Sequence, residues 1–227
     1  MSKPYTTRFF TWIHTEKTAG TWLHSILAKH SPSEWQAFVY PPAHVLLDNV
    51  PSTLEDMGLP ERAALPVLAA VRNPWDWYVS MYFFMAGHCA AGTGGFIRPR
   101  EEWNPTLVDW STRIASSLDA EGFRRGIRKI YERRPPAWTG QEPFLRSSRG
   151  ISPVVYRFER LQDDFLSAIE STGAQSPGSL RHALFATPIA NRSEHRHYTD
   201  YYDYDTRRMV EEMESYVIEQ FGYEFCD

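Results

Sequence analysis

Ile13-His14-Thr15-Glu16-Lys17-Thr18-Ala19-Gly20-Thr21-Trp22-Leu23 joins two segments of opposite character. Upstream, residues 8–15 (RFFTWIHT) are aromatic and β-branched, the composition of a short buried strand. Downstream, residues 21–30 put apolar Trp22, Leu23, Ile26 and Leu27 at helical spacing with a threonine near the start, which predicts an amphipathic helix. A tight loop between a strand's end and a helix's start exposes several backbone N–H groups at the positive end of the helix dipole. That combination makes a concave anion site. Ala19 and Gly20 are small enough to admit an anion to the backbone, Thr18 and Thr21 add hydroxyls, and Lys17 adds a mobile positive charge.

The same pattern recurs further on. Residues 65–71 (LPVLAAV) form an apolar run without alternation, as expected of a strand covered on both faces in a parallel sheet. Arg72-Asn73-Pro74 closes it, and residues 75–85 read as a helix entered through proline. Strand, loop and helix twice over predict an α/β layer. Further strands are expected at 36–40 and 153–158, a helical turn at 43–49, and helices at 106–117, 121–133 and 161–171. A long charged helix at 203–221 carries Met209, Val210, Met213, Val217 and Ile218 along one side. Residues 87–105 are rich in glycine and proline and predict a long loop of the lid type. No repeat or polar linker divides the chain, so a single domain over 1–227 is expected.

Composition narrows the function classes. A chain of 227 residues is long enough for one good-sized core. The net charge of −4 argues against a general nucleic-acid or membrane-surface binder, so any anion site is a local concentration of positive charge. The only two cysteines, Cys89 and Cys226, lie far apart without a metal-ligand pattern, which points to a reducing compartment. No signal-peptide run opens the chain and no stretch has the length of a membrane span, so a cytoplasmic protein is expected.

A second anion motif follows the buried strand: Val71-Arg72-Asn73-Pro74-Trp75-Asp76-Trp77-Tyr78-Val79-Ser80-Met81-Tyr82. The guanidinium of Arg72 offers a planar, charge-assisted fork and Ser80 a short hydroxyl donor, a set suited to one phosphate. The first loop is not the ATP/GTP phosphate loop, in which glycine precedes a late lysine; here the lysine comes first. It resembles instead the 5′-phosphosulfate loop of sulfotransferases that use 3′-phosphoadenosine 5′-phosphosulfate (PAPS), whose members read IH-x-PKTAGTS-L or YPKSGTTW. The second motif resembles their 3′-phosphate motif RNPxDRxxSxYxF, with Arg72 and Ser80 at the two ligand positions and Trp77 in place of the usual second arginine. Arg157-Phe158-Glu159-Arg160-Leu161 through Phe165 resembles the family's RxExLxxDF segment, and the stretch from Asn191 to the closing FGYEF resembles its last segment.

The resemblance implies a three-layer α/β sandwich around a mostly parallel sheet, of the P-loop-like sulfotransferase fold. It implies PAPS as cosubstrate, held by Lys17, Thr18, Ala19, Gly20, Thr21, Arg72 and Ser80, with Arg192, Ser193 and Arg196 as a covering basic loop and no metal. Trp22 is either an adenine platform, as in the cytosolic branch, or a core residue. Glu16 stands where the family has proline.

Sulfuryl transfer proceeds in line through a loose transition state, so positioning and electrostatics do most of the catalysis. A sulfuryl group carries less negative charge than a phosphoryl group, and a lysine with backbone donors suffices without magnesium. Lys17 is expected to stabilise the bridging oxygen. Related enzymes place a histidine base between the two motifs, which makes His44 the first candidate and Asp48 the second. His14 is expected in a structural hydrogen bond and His24 on the helix surface. The partner is a hydroxyl-bearing acceptor of unspecified class, and the oligomeric state stays open. Two rivals remain: a non-catalytic PAPS or nucleotide sensor, and a nucleotide-dependent kinase, which would need an acidic residue where β-strand 65–71 ends in Arg72.

Overall fold

The opening aromatic segment does not run as one strand. In the computed structural model, which describes residues 4–39, 44–90, 119–133, 140–189 and 195–226, Thr7 turns the chain back on itself. Its Oγ1 accepts the amide protons of Phe9 and Phe10 at 3.0 Å each, and its own N–H donates to the Phe10 carbonyl at 2.8 Å. A threonine hydroxyl thus supplies the turn that periodicity alone does not reveal. The result is an antiparallel hairpin of β1 (Tyr5–Thr6) and β2 (Thr11–Trp12).

β2 pairs in parallel with β3 (Val67–Val71), and β3 in parallel with β4 (Val154–Arg157). Among the described residues these strands form one four-stranded sheet in the order β1-β2-β3-β4. Every residue of β3 is buried, as its unbroken apolar run requires. The fold is α/β, with a mostly parallel sheet flanked by helices. The strand expected at 36–40 reduces to a single antiparallel bridge between Thr6 and Phe38.

The chain divides into two compact units, Met1–Arg72 with Gln141–Arg192, and Asn73–Gly140 with Ser193–Asp227. The first holds the sheet. Its core joins Trp12, Leu68 and Tyr156 of the strands to α1 (Gly20–His30), α6 (Leu161–Ser171) and α7 (Gly178–Ala186). The four apolar positions read from the sequence, Trp22, Leu23, Ile26 and Leu27, all face this core. Trp12 Nε1 donates to the Tyr156 hydroxyl at 2.8 Å, so the polar tips of two fully buried rings satisfy one another. The helical turn expected at 43–49 begins later, at Leu47–Asn49, and runs into α2 (Val50–Asp56), and a short α5 (Glu142–Leu145) follows Gln141. Helix α7 was not expected; it follows Pro177 and buries Leu180, Ala183 and Leu184.

The second unit is helical. α3 (Pro74–Ala90) starts at its proline, while Asn73 Oδ1 accepts the amides of Trp75 and Asp76 at 3.1 and 3.3 Å. α3 runs past the expected end at 85, so the first residues of the expected 87–105 loop are helical. The rest of that loop and the expected 106–117 helix lie outside the described residues. α4 (Ala120–Arg133) matches its expectation closely. The helix expected at 203–221 is instead two, α8 (Tyr204–Met213) and α9 (Ser215–Phe221). α8 opens with a reciprocal cap between Asp203 and Thr206. The break falls at Glu214, which is 2% exposed and accepts the Tyr78 hydroxyl proton on Oε1 at 3.1 Å. Among the described residues no helix is long and apolar enough to cross a membrane.

Candidate anion site at the ends of β2 and β3

Because β2 and β3 are adjacent and parallel, the loop leaving one and the residue ending the other emerge on the same side of the sheet. Pairing continues past β2: Ile13 N–H donates to the Leu68 carbonyl at 3.0 Å, and the Ala70 N–H reaches Thr15 Oγ1 at 3.3 Å. Thr18 then donates its hydroxyl to the Thr15 carbonyl at 2.8 Å, closing the loop upon itself. Lys17 and Ala19 take left-handed backbone conformations at φ 57° and 59°. Each costs an L-residue roughly 1–2 kcal/mol. Left-handed residues at 17 and 19, separated by Thr18, are the kind of alternation from which a backbone anion nest can be built. Ala19 precedes α1 and no side chain caps it. The threonine near the helix start, Thr21, is exposed and does not cap the helix.

Arg72 joins this loop. It is 7% exposed, and its Nη1 donates to the Lys17 carbonyl at 2.8 Å. The guanidinium lies over the Phe158 ring at 4.2 Å. Its main chain is clamped by the fully buried amide of Gln141, which accepts from Arg72 N–H and donates to Arg72 C=O, both at 2.8 Å. Burial, then the neighbouring Arg72 charge, push the Lys17 ammonium down from its ordinary 10.5 to about 8, against the opposing pull of Glu16. Both leading effects weigh against the proton on Lys17, and an arriving anion relieves them.

His14 decides why position 20 is glycine. A Cβ on Gly20 would fall 1.7 Å from Cδ2 of the His14 ring. The imidazole fills that space and stacks on Trp12 with centroids 5.9 Å apart, and among the described residues its buried Nδ1 has no hydrogen-bond partner. Burial first, then the charges of His44, His24 and Lys17, hold His14 neutral, well below the usual histidine range. Close backbone packing of an imidazole, rather than anion approach alone, sets the glycine requirement.

His44 stands beside it, the two rings 4.4 Å apart, with Nδ1 of His44 at 2.9 Å from the His14 carbonyl oxygen. A carbonyl only accepts, so Nδ1 carries the proton and neutral His44 keeps a lone pair on Nε2. Glu16 Oε1 lies 3.9 Å from that Nε2. Asp48 is engaged elsewhere: Ser147 Oγ donates to it, as do Ser148 Oγ at 2.5 Å and Ser148 N–H at 3.1 Å. These bonds take its carboxyl down to about 2, far from the range of a base for a neutral hydroxyl.

The remaining residues fall as follows. Trp22 is 1% exposed within the core, and among the described residues its buried Nε1 has no hydrogen-bond partner. His24 is half-buried on α1. Ser80 is 3% exposed on α3 of the second unit. Arg196, also of the second unit, lies over the Tyr201 ring at 5.6 Å and pairs with Asp200 at 3.7 Å. Arg192 and Ser193 lie outside the described residues. Among the described residues no group of three or more His, Cys, Asp or Glu is placed to hold a metal ion. Gln141 and Phe158 were missed as contributors. Phe158 sits inside a recognised segment, whereas Gln141 lies in a stretch with no motif and nothing local marks it.

No protein-family model matches this chain, no curated protein is significantly similar to it, and no solved structure matches it.

Proposed function

We propose that the chain is a sulfotransferase that moves a sulfuryl group from PAPS to an acceptor hydroxyl, on a three-layer P-loop-like fold. The observation that supports this best is the junction of the two motifs: Arg72 is hydrogen-bonded to the carbonyl of Lys17, so the family's two phosphate-binding signatures meet at one sheet edge. In this reading the amides of 17–20 and the Lys17 ammonium hold the 5′-phosphosulfate, and Arg72 holds the 3′-phosphate. Lys17 offsets the charge that builds on the bridging oxygen. His44, with Nδ1 fixed on a carbonyl, takes the acceptor proton on Nε2. Ser80, Thr21, Arg192, Ser193 and Arg196 are assigned to the nucleotide by resemblance alone; Trp22, buried in the core, serves packing rather than as an adenine platform.

The test is transfer of labelled sulfate from PAPS to a panel of sugar, phenol and lipid hydroxyls, with release of adenosine 3′,5′-bisphosphate as the readout. Transfer that vanishes in Lys17→Ala supports the reading. Tight binding of the bisphosphate without turnover on any acceptor turns it into a sensor. Magnesium-dependent ATP turnover turns it into a kinase.

A further inference from the structure

We propose that Glu16 is a positioning residue that stabilises the protonated form of His44 during transfer, an assignment that rests on the sulfotransferase reading. Three observations meet here. The Nδ1 of His44 is committed to the His14 carbonyl at 2.9 Å, which leaves Nε2 as the basic atom. The Glu16 carboxylate lies 3.9 Å from that same Nε2, too long for a hydrogen bond but close for charges. Both side chains are about one third exposed, at 37% and 31%, so neither is sealed in the core.

The chemistry gives the pair its use. As the acceptor oxygen bonds to sulfur, its proton passes to Nε2 of His44, and the bridging S–O bond breaks with its electron pair leaving on the 5′-phosphate. The imidazole thereby becomes a cation. Its other near neighbours cannot offset that charge: the His14 ring at 4.4 Å is held neutral by burial, and beyond it lie His24 and Lys17, which bear on His14 as cations. Among the described residues, Glu16 is the carboxylate beside His44 Nε2. At 3.9 Å from Nε2 it is close enough to favour the imidazolium without claiming the proton itself, because carboxylates titrate well below imidazole.

Exposed pairs of this kind are worth little, so the expected loss is modest, about 2–5-fold in kcat. The test is Glu16→Gln in the full chain, followed in two ways. Proton NMR of the His44 ring, assigned by its loss in His44→Ala, should respond at lower pH in the variant than in the parent chain. The acidic limb of transfer from PAPS should move down by the same amount, with kcat reduced more than KM is raised. An unmoved His44 resonance overturns the proposal. A resonance that moves while the acidic limb stays in place overturns its catalytic use. If the unsubstituted chain transfers no sulfate while the resonance still moves, the functional reading has failed and the charge coupling stands. Glu16 also supports the Lys17 charge, so the alkaline limb should shift downward too; that shift alone, with the acidic limb unchanged, counts against the role for His44.

Discussion

The Arg72 guanidinium donates to the Lys17 carbonyl at 2.8 Å, so the residue that ends the central strand also braces the loop that leaves its neighbour. Arg72 is thereby a strut for the left-handed turn at Lys17 as well as a largely buried charge beside it. Gln141 holds its backbone and Phe158 its guanidinium plane, which leaves the fork little freedom to lose on binding.

Arg72→Lys keeps the charge but loses the fork and the bond to the loop. Charged hydrogen bonds are worth roughly 1.5–3 kcal/mol. Affinity for adenosine 3′,5′-bisphosphate should therefore fall by about 10–100-fold by calorimetry. Retained affinity would mean that Arg72 braces the loop without touching ligand.

Lys17 should give the site a pH signature. With its proton held down to about 8, the ammonium is partly lost above that value, and transfer should decline on the alkaline side. A bound anion raises the same group, so bisphosphate binding near pH ~8.5 should take up a proton, read by calorimetry in buffers of different ionisation heat. Lys17→Met should abolish the uptake. The sign for folding is opposite to that of a paired lysine: between about 8 and 10.5 the unfolded chain binds more protons, so the Lys17 contribution to stability improves as pH rises.

Gly20→Ala should destabilise the first unit, because the new methyl would sit 1.7 Å from the His14 ring. Overpacking of this kind costs about 1–3 kcal/mol. In Gly20→Ala with His14→Ala the clash disappears, so the double variant should be more stable than the two single losses sum to, by about 1 kcal/mol or more in urea unfolding. Simple additivity would deny the contact.

The two base candidates should separate cleanly. His44→Ala is expected to lower kcat by about 10²–10⁴-fold. Asp48→Asn, which keeps an oxygen acceptor for the serine donors, should leave turnover nearly unchanged. Loss of turnover in Asp48→Asn with retention in His44→Ala would reverse the assignment.

In the second unit, Gly140 combines φ 52° with a Cβ position 1.6 Å from Glu214 Oε1. Gly140→Ala should therefore cost about 1–3 kcal/mol in thermal or urea unfolding. Glu214→Ala should recover only part of that loss in the double variant, since the left-handed strain of about 1–2 kcal/mol remains at position 140.

Much of this architecture is written in local pattern. Apolar spacing over 21–30 names the buried face of α1, the unbroken run ending at Val71 names a strand covered on both sides, and 161–171 coincides with α6. Periodicity succeeds there because burial of one face is a property of neighbours within a turn or a pleat. It is silent where one side chain redirects the backbone. The Thr7 hydroxyl makes a hairpin out of an aromatic run, and the inward carboxylate of Glu214 divides an otherwise regular amphipathic helix.

The chain order of residues by itself determined that a lysine-led loop and an arginine would each follow a buried strand. Only the tertiary structure decided that the two would touch, that His14 would claim the space beside Gly20, and that Glu16 would turn toward His44. The reason is physical: Arg72 reaches Lys17 only when β2 and β3 lie side by side, and no local propensity encodes which parallel neighbour a strand will take. The other two contacts depend on how the loop after β2 folds back on itself and on the segment that carries His44.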